Sequence, residues 1–148
     1  MFLDNELIPH IGKTGKMLGT VITKIFKDKN INLSREQFVV LKILSEKDGQ
    51  QQQNLAFITE CDKTSLSRLI SNMEKKKLIS RKSSSIDKRI KNVYLTTYGK
   101  NIFKTTFPIV KQTIGYLQKG ISNEDLKTCI ATIEKIQLNI NKEHLFKL

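Results

Sequence analysis

Apolar residues recur at helical spacing over three long segments of the chain, residues 7–27, 97–119 and 123–140. Pro108 lies inside the second of them and predicts a kink, because proline removes one backbone hydrogen bond from a helix. The pattern therefore predicts a mainly α-helical chain with long helices at both ends.

Shorter helices are predicted between these segments. Ser34 and Gln37 form a capping box before an apolar stretch that ends near Gly49. The four glutamines that follow lead into a short helix over residues 52–60. Asp62 is a good N-cap for the next helix, because its carboxylate accepts from free amides and favours the positive helix end.

Three glycines, Gly12, Gly15 and Gly19, share one face of the first long segment. Each costs about 1 kcal/mol of helix propensity relative to alanine. Two interpretations stay open: another helix approaches closely there, or the glycines only loosen a marginal helix.

The segment 63–76 is amphipathic. Leu66, Leu69, Ile70 and Met73 follow the spacing of an inward-facing stripe. The opposite side and its flanks carry hydroxyl, amide and basic groups and no acid: Thr64, Ser65, Ser67, Arg68, Ser71, Asn72 and Lys75. Arginine can bond guanine, asparagine can bond adenine, and hydroxyls serve base edges or phosphates. This face is chemically suited to nucleic acid, whereas an ordinary solvated face usually includes acids.

A β-hairpin is predicted after this helix. One strand begins at Leu78, and Val93 and Leu95 occupy alternate positions of a second strand. The tip between them, residues 82–89, is polar and basic. This order of elements predicts a winged helix-turn-helix, a mainly α fold with a small β-hairpin wing. The outer helices carry more apolar surface than the central unit can cover, which predicts N- and C-terminal dimerisation helices.

Charge is concentrated in one part of the chain. The chain has 148 residues and a net charge of +12. Residues 63–104 hold twelve of the 26 basic residues and two of the 14 acidic ones. This uneven distribution favours a polyanionic partner, a nucleic acid or an anionic membrane surface, over a solubilising lysine-rich surface.

The length favours a single domain over residues 1–148. No apolar run approaches the roughly 20 residues of a membrane span, and the start of the chain does not resemble a signal peptide. Two cysteines cannot form a disulfide framework, which predicts a reduced, cytoplasmic protein.

Three stretches of the chain form a pattern by their order and spacing: LSREQFVVLKIL at 33–44, NLAFITECDKTSLSRLISNMEKKKLISR at 54–81 and SSSIDKRIKNVYLTTYGK at 83–100. Together they resemble the MarR family of bacterial transcriptional regulators. The resemblance implies a homodimer that binds double-stranded DNA through a winged helix-turn-helix at 32–96. Dimerisation helices are expected at 1–31 and 97–148.

The resemblance also implies how DNA is bound. The helix 63–76 is expected in the major groove, and the hairpin tip in the adjacent minor groove with Arg89 inserted. Asp87 shares a face with Arg89 and can hold its guanidinium, and a cation is favoured in a narrow minor groove. The expected DNA-binding residues are Lys63, Thr64, Ser65, Ser67, Arg68, Ser71, Asn72, Lys75, Arg81, Lys82, Asp87, Lys88 and Arg89.

Two positions depart from the family pattern. Glu60 and Lys77 stand where the family usually has glycine, before and after the helix that would read DNA. A left-handed backbone there costs a non-glycine residue about 1 kcal/mol.

No catalytic, metal or cofactor motif is recognisable, so we expect neither an enzyme nor a cofactor. Cys61 lies beside a helix N-terminus, where a thiolate is favoured, but acids flank it; a redox switch and a small turn residue both stay open. Cys129 lies on an apolar stripe and is expected in the core.

The leading hypothesis is a transcriptional repressor that binds a pseudo-palindromic operator and is released by a small-molecule effector. The alternative is a non-specific RNA- or DNA-binding architectural protein, which would use the same basic surface. A peripheral membrane protein is disfavoured, because the basic helix has no aromatic residue.

Overall fold

The structure, a computed structural model, describes residues 5–59 and 63–142. In chain order these residues form α1 (Leu7–Asp28), α2 (Arg35–Glu46), β1 (Gln50–Gln51), a 3₁₀ helix (Gln52–Thr59), α3 (Lys63–Lys75), β2 (Ile79–Ser83), β3 (Lys91–Leu95), α4 (Thr97–Leu117) and α5 (Asn123–Lys142). The predicted fold class, mainly α with a small hairpin, is confirmed.

The chain divides into two compact units, residues 1–110 and 111–148. The first contains the winged helix-turn-helix elements. The second contains the end of α4, from residue 111 onward, and the whole of α5. Helix α4 runs without interruption through Pro108.

The core of the first unit is built where α2 and α3 pack with the sheet. Leu66, Ile70 and Met73 of α3 are buried, and Leu69 is half-buried against the same cluster. The predicted inward stripe is therefore confirmed, and its burial fixes the polar side of α3 toward the outside.

The sheet has three antiparallel strands in the order β1-β3-β2. Strand β2 pairs with β3 from Ile79 opposite Leu95 to Ser83 opposite Lys91, as a hairpin requires. Strand β1 was not predicted, because its two glutamines have little strand signal of their own. They form a strand by pairing with β3, and the Asp48 carboxylate supports this by accepting from the Leu95 amide at 2.9 Å.

The turns around α2 and α3 explain two sequence features. The capping box is confirmed: the Gln37 amide donates to Ser34 Oγ, and the Ser34 amide donates to Gln37 Oε1, both at 3.1 Å. Lys77 has a left-handed backbone with φ +59°. The Leu78 amide there donates back to the Met73 carbonyl at 3.0 Å, which closes the end of α3. Lys77 thus occupies a position that favours glycine.

The start of α4 is packed tightly on this same turn. Thr96 Oγ donates to the Lys77 carbonyl at 2.6 Å and accepts from the Gly99 amide at 2.9 Å. A Cβ at Gly99 would overlap the Leu78 carbonyl oxygen. Glycine is therefore required at this position, because the backbone of Leu78 approaches so closely. Through Thr96 and Gly99, the segment 95–99 joins the wing to the start of α4.

The structure also shows the surroundings of the α1 glycines and of Cys129. The Cβ positions of Gly12 and Gly15 have no described atom within 4 Å, so no helix of the described chain packs closely on them. Cys129, expected in the core, is exposed. The reason is that α5 buries none of its described residues completely, so a place on its apolar stripe does not mean burial within the chain. Among the described residues, no helix is long and apolar enough to cross a membrane.

Candidate nucleic-acid interface

The outer face of α3 presents the polar residues predicted for DNA. Ser65 and Ser71 are half-buried. The others of this helix are exposed: Lys63, Thr64, Ser67, Arg68, Asn72 and Lys75. They share a helix whose opposite side is buried in the core, so the structure brings these predicted residues together on one surface.

Arg68 lies on this face without an ion pair or hydrogen bond to any described residue. Its five N–H donors are therefore available to an outside acceptor. Asn72, one turn further along α3, is exposed as well. An unengaged guanidinium with an amide beside it can contact base edges in the major groove.

The tip of the wing is organised around Asp87. Its carboxylate accepts from the Arg89 amide at 2.9 Å and from the guanidinium Nε and Nη2, each at 3.2 Å. The side-chain hydrogen bond from Arg89 lowers the pKa of Asp87 below its ordinary value. The side chain of Arg89 is nevertheless 91% exposed. Asp87 therefore orients a guanidinium that stays open to solvent.

The remainder of the tip is closed by short-range bonds. The Ser84 amide donates to the Ile90 carbonyl at 2.9 Å, and the Ile86 amide donates to Ser84 Oγ at 3.2 Å. Ile86 itself is 97% exposed at the tip. Lys88 is exposed beside it.

The β-strands of the wing carry two more predicted residues. Lys82 is exposed, with Nζ 5.3 Å from the centre of the Tyr94 ring. Arg81 is different, because its guanidinium contacts Glu74 of α3, with Nη2 2.9 Å from Oε1. The side-chain hydrogen bond from Arg81 lowers the pKa of Glu74, although partial burial opposes it.

Sequence reasoning missed two residues that organise this surface, Glu74 and Lys76. Lys76 Nζ donates to Gln37 Oε1 at 3.0 Å and to the Asn32 carbonyl at 3.1 Å, which ties the end of α3 to the loop before α2. A signal for Glu74 was present, because it and Asp87 are the two acids of the basic segment 63–104. Each is paired with an arginine.

Across 5–59 and 63–142, no group of three or more His, Cys, Asp or Glu side chains could hold a metal ion. Glu60, Cys61 and Asp62 lie outside the described residues, so the predicted N-cap, the proposed redox cysteine and the first glycine departure stay predictions.

A helix-turn-helix core, a hairpin wing and an outer helix face whose flanking acid, Glu74, is paired with Arg81 define a winged helix-turn-helix DNA-binding protein. Residues 33–91 match the MarR family model. Over this segment the chain is similar to MarR family transcriptional regulators.

Individual relatives show the same similarity. The chain is 24% identical to the uncharacterized HTH-type transcriptional regulator YybA of Bacillus subtilis (strain 168) over 139 residues, covering 94% of this chain and 91% of YybA. It is 26% identical to a MarR family transcriptional regulator from Listeria monocytogenes that was solved as a complex with a 26mer DNA. That match covers 91% of this chain and 89% of the Listeria chain, with a TM-score of 0.80. The structure of the transcriptional regulator SlyA has the same fold, with a TM-score of 0.81, 22% identity and coverage of 93% and 96%.

Proposed function

We propose that the protein is a repressor that binds a pseudo-palindromic operator as a homodimer and is released by a small-molecule effector. The observation that carries the DNA-binding part is the exposed Arg68, which makes no ion pair or hydrogen bond with a described residue, on a helix whose one acid, Glu74, is paired with Arg81 of the basic wing. A transcriptional repressor acts on chromosomal DNA, so we expect the protein in the cytoplasm.

In this proposal α3 lies in the major groove. Basic and hydroxyl side chains of α3, together with Lys82 of the wing, bind phosphates of the DNA backbone and give most of the affinity. These residues are Lys63, Ser65, Lys75 and Lys82. Sequence readout comes from the middle of the helix face: Thr64, Ser67, Arg68, Ser71 and Asn72.

The wing supplies the second contact. Arg89 enters the adjacent minor groove, where the negative potential favours a cation, and Lys88 lies close to the phosphates. Asp87 holds the guanidinium in place before DNA arrives. This preorganisation lowers the ordering cost of binding.

The homodimer is proposed from apolar residues that the chain leaves exposed. They lie on the helices expected to dimerise: Leu7, Ile8, Met17, Leu18, Ile114, Leu117, Ile130, Ile133, Leu138 and Ile140. A two-fold interface covers such residues and presents two copies of α3 about one DNA turn apart, roughly 34–36 Å. The proposed division is a DNA-binding unit at 32–96 and dimerisation helices at 1–31 and 97–148, within one domain.

The effector is proposed from similar structures. CouR from Rhodococcus jostii RHA1 was solved with p-coumaroyl-CoA, and MepR of S. aureus was solved in a DNA-binding conformation. A ligand releases DNA when it binds one spacing of the two α3 helices better than another. For this chain we expect the same coupling.

The decisive experiment selects bound fragments from random DNA and measures the affinity of Arg68→Ala for the selected operator. We expect a loss of about 1–3 kcal/mol and relaxed preference at one base pair. Lys127→Ala is the control, because it removes one exposed positive charge from α5. Equal binding of operator and random DNA by the unmodified protein would instead support the architectural alternative.

The homodimer, repression and release by a small molecule are each tested by a separate measurement. Sedimentation of the free protein tests the homodimer, and transcription in vitro from a promoter that contains the selected operator tests repression. Repeating the selection with candidate small molecules tests release. A monomer at the concentration that saturates the operator would remove the dimer from the proposal.

A further inference from the structure

Glu74 and Arg81 join two elements that the proposed DNA contacts use. Glu74 lies in the last turn of α3, and Arg81 lies in β2, beyond the turn formed by Lys76, Lys77 and Leu78. The Arg81 amide and Nε donate to Glu74 Oε2, at 3.2 Å and 3.4 Å, and Nη2 donates to Oε1 at 2.9 Å. Both oxygens of one carboxylate are therefore bound by one residue.

These contacts bond the strand itself to the helix. One donor is the backbone amide of Arg81, whose position is fixed because Arg81 pairs with the buried Val93 of β3. Arg81 Nη2 also lies 3.5 Å from Ser71 Oγ, one turn back along α3. The angle between α3 and the wing is thus held by side-chain bonds in addition to the turn.

The charge distribution argues for the same role. Glu74 is the one acid between residues 63 and 86, a stretch with seven basic residues. An unpaired carboxylate on this surface would repel phosphates and weaken binding. Exposed ion pairs contribute little to stability, so the pair is best explained by the geometry it imposes.

The two arginine–carboxylate pairs of the wing present their guanidinium groups differently. The side chain of Arg89 is 91% exposed, whereas that of Arg81 is 27% exposed and is bonded to both oxygens of its partner. Arg89 can contact DNA while Asp87 holds it. Arg81 bonds Glu74 through Nε and Nη2, so a phosphate could reach it without breaking the pair only at Nη1, on a side chain that is mostly buried.

We propose that Glu74 and Arg81 are positioning residues that lock the recognition helix to the wing, and that Arg81 makes no phosphate contact. The inference rests on the proposed function for its DNA readout and revises the role expected for Arg81. Locking lets α3 and the wing tip engage adjacent grooves in one register, which favours the operator over random DNA.

The test measures the affinity of each variant for operator and random DNA over a range of salt concentrations. For Glu74→Gln we expect operator affinity to fall about tenfold, although the change makes the surface more positive, with random-DNA affinity unchanged or higher. For Arg81→Met we expect a similar loss with an unchanged slope of log K against log salt. Lys82→Met, the neighbouring phosphate contact, should lower that slope by about 0.9.

Arg81→Lys separates charge from geometry, because lysine keeps the charge but cannot form the two-pronged pair. It should keep the salt slope and lose operator preference. Tighter operator binding by Glu74→Gln, or a slope for Arg81→Met that falls as in Lys82→Met, would overturn the proposal.

Amide exchange in the DNA-free protein provides a readout independent of the operator. In Glu74→Gln, exchange at the Arg81 amide should become at least severalfold faster, while exchange at Val40 in the core stays unchanged. Unchanged exchange at Arg81 would overturn the lock. If the unmodified protein preferred no DNA sequence, the proposed function would be wrong, whereas amide exchange would still test the contact between Glu74 and Arg81.

Discussion

Helices α3 and α5 both carry leucine and isoleucine at helical spacing, but the chain buries the stripe of α3 and leaves the described residues of the α5 stripe exposed or half-buried. Ile70 is 0% exposed in the first unit, and Ile130 is 55% exposed in the second. The difference teaches that the same amphipathic pattern serves two purposes. In α3 it anchors a functional face by packing within the chain, and in α5 it leaves a surface for a second copy, as we propose.

Truncation of one isoleucine in each helix tests this comparison most directly. Ile70→Ala should lower the free energy of unfolding by about 2–5 kcal/mol, because it opens a cavity in the core. That cost should be the same at every protein concentration. Ile130→Ala should act through the homodimer, so its effect on urea denaturation should depend on protein concentration. An equal cost at all concentrations for both variants would show that α5 is packed within its own chain.

The same contrast explains what the sequence could predict. The inward stripe of α3, the Ser34 capping box and the hairpin depend on residues a few positions apart, and they were predicted. Strand β1 depends on pairing with β3 some 40 residues later, which local patterns do not encode. The expected burial of Cys129 was wrong, because an apolar stripe identifies a face and not what covers it.

The candidate site shows the same division. The polar face of α3 and the Asp87–Arg89 pair follow from short spacings and were found in the sequence. The Glu74–Arg81 pair bridges a turn whose geometry depends on a left-handed lysine, so its partners could not be matched from spacing alone. The residue types of the interface were therefore easier to predict than the contacts that hold α3 to the wing.

Two glycines of α4 give the next largest contrast. Gly99→Ala should cost about 1–3 kcal/mol or more, because its Cβ would overlap the Leu78 carbonyl oxygen. Gly115→Ala, in the second unit, meets no described atom within 4 Å and should stabilise the helix by about 0.5–1 kcal/mol. Thermal unfolding of both variants checks this. A destabilising Gly115→Ala would show that a neighbouring helix packs on this position.

Left-handed residues provide a smaller contrast. Lys77 has φ +59° in the first unit, and Gly120 has φ +84° in the second. Lys77→Gly should raise the free energy of unfolding by about 0.5–1 kcal/mol, after allowance for the greater freedom of glycine in the unfolded chain. Gly120→Ala should lower it by about 1 kcal/mol. Lys75→Gly, at the last residue of α3, is the control and should lower it by up to about 1 kcal/mol, because this position does not need a left-handed backbone.

The smallest expected effect is the pH dependence of the lock between α3 and the wing. The pKa of Glu74 is lowered in the folded state, chiefly by the side-chain hydrogen bond from Arg81. A lowered pKa means that the folded state favours the ionised form, so the pair stabilises the protein above the ordinary value of 4.5. This stabilisation is lost as the pH falls through the lower pKa of the folded state.

Urea denaturation of the unmodified protein and of Glu74→Gln should therefore give a stability difference that is constant above about pH 5.5 and changes below it, to the disadvantage of the unmodified protein. Arg81→Met, measured alongside, should weaken this dependence, because the ionised carboxylate loses both side-chain hydrogen bonds and keeps only the one from the backbone amide of residue 81. A difference that stays flat from pH 6 to pH 3 would show that the pair does not persist in solution, and the angle between α3 and the wing would then depend on the turn alone.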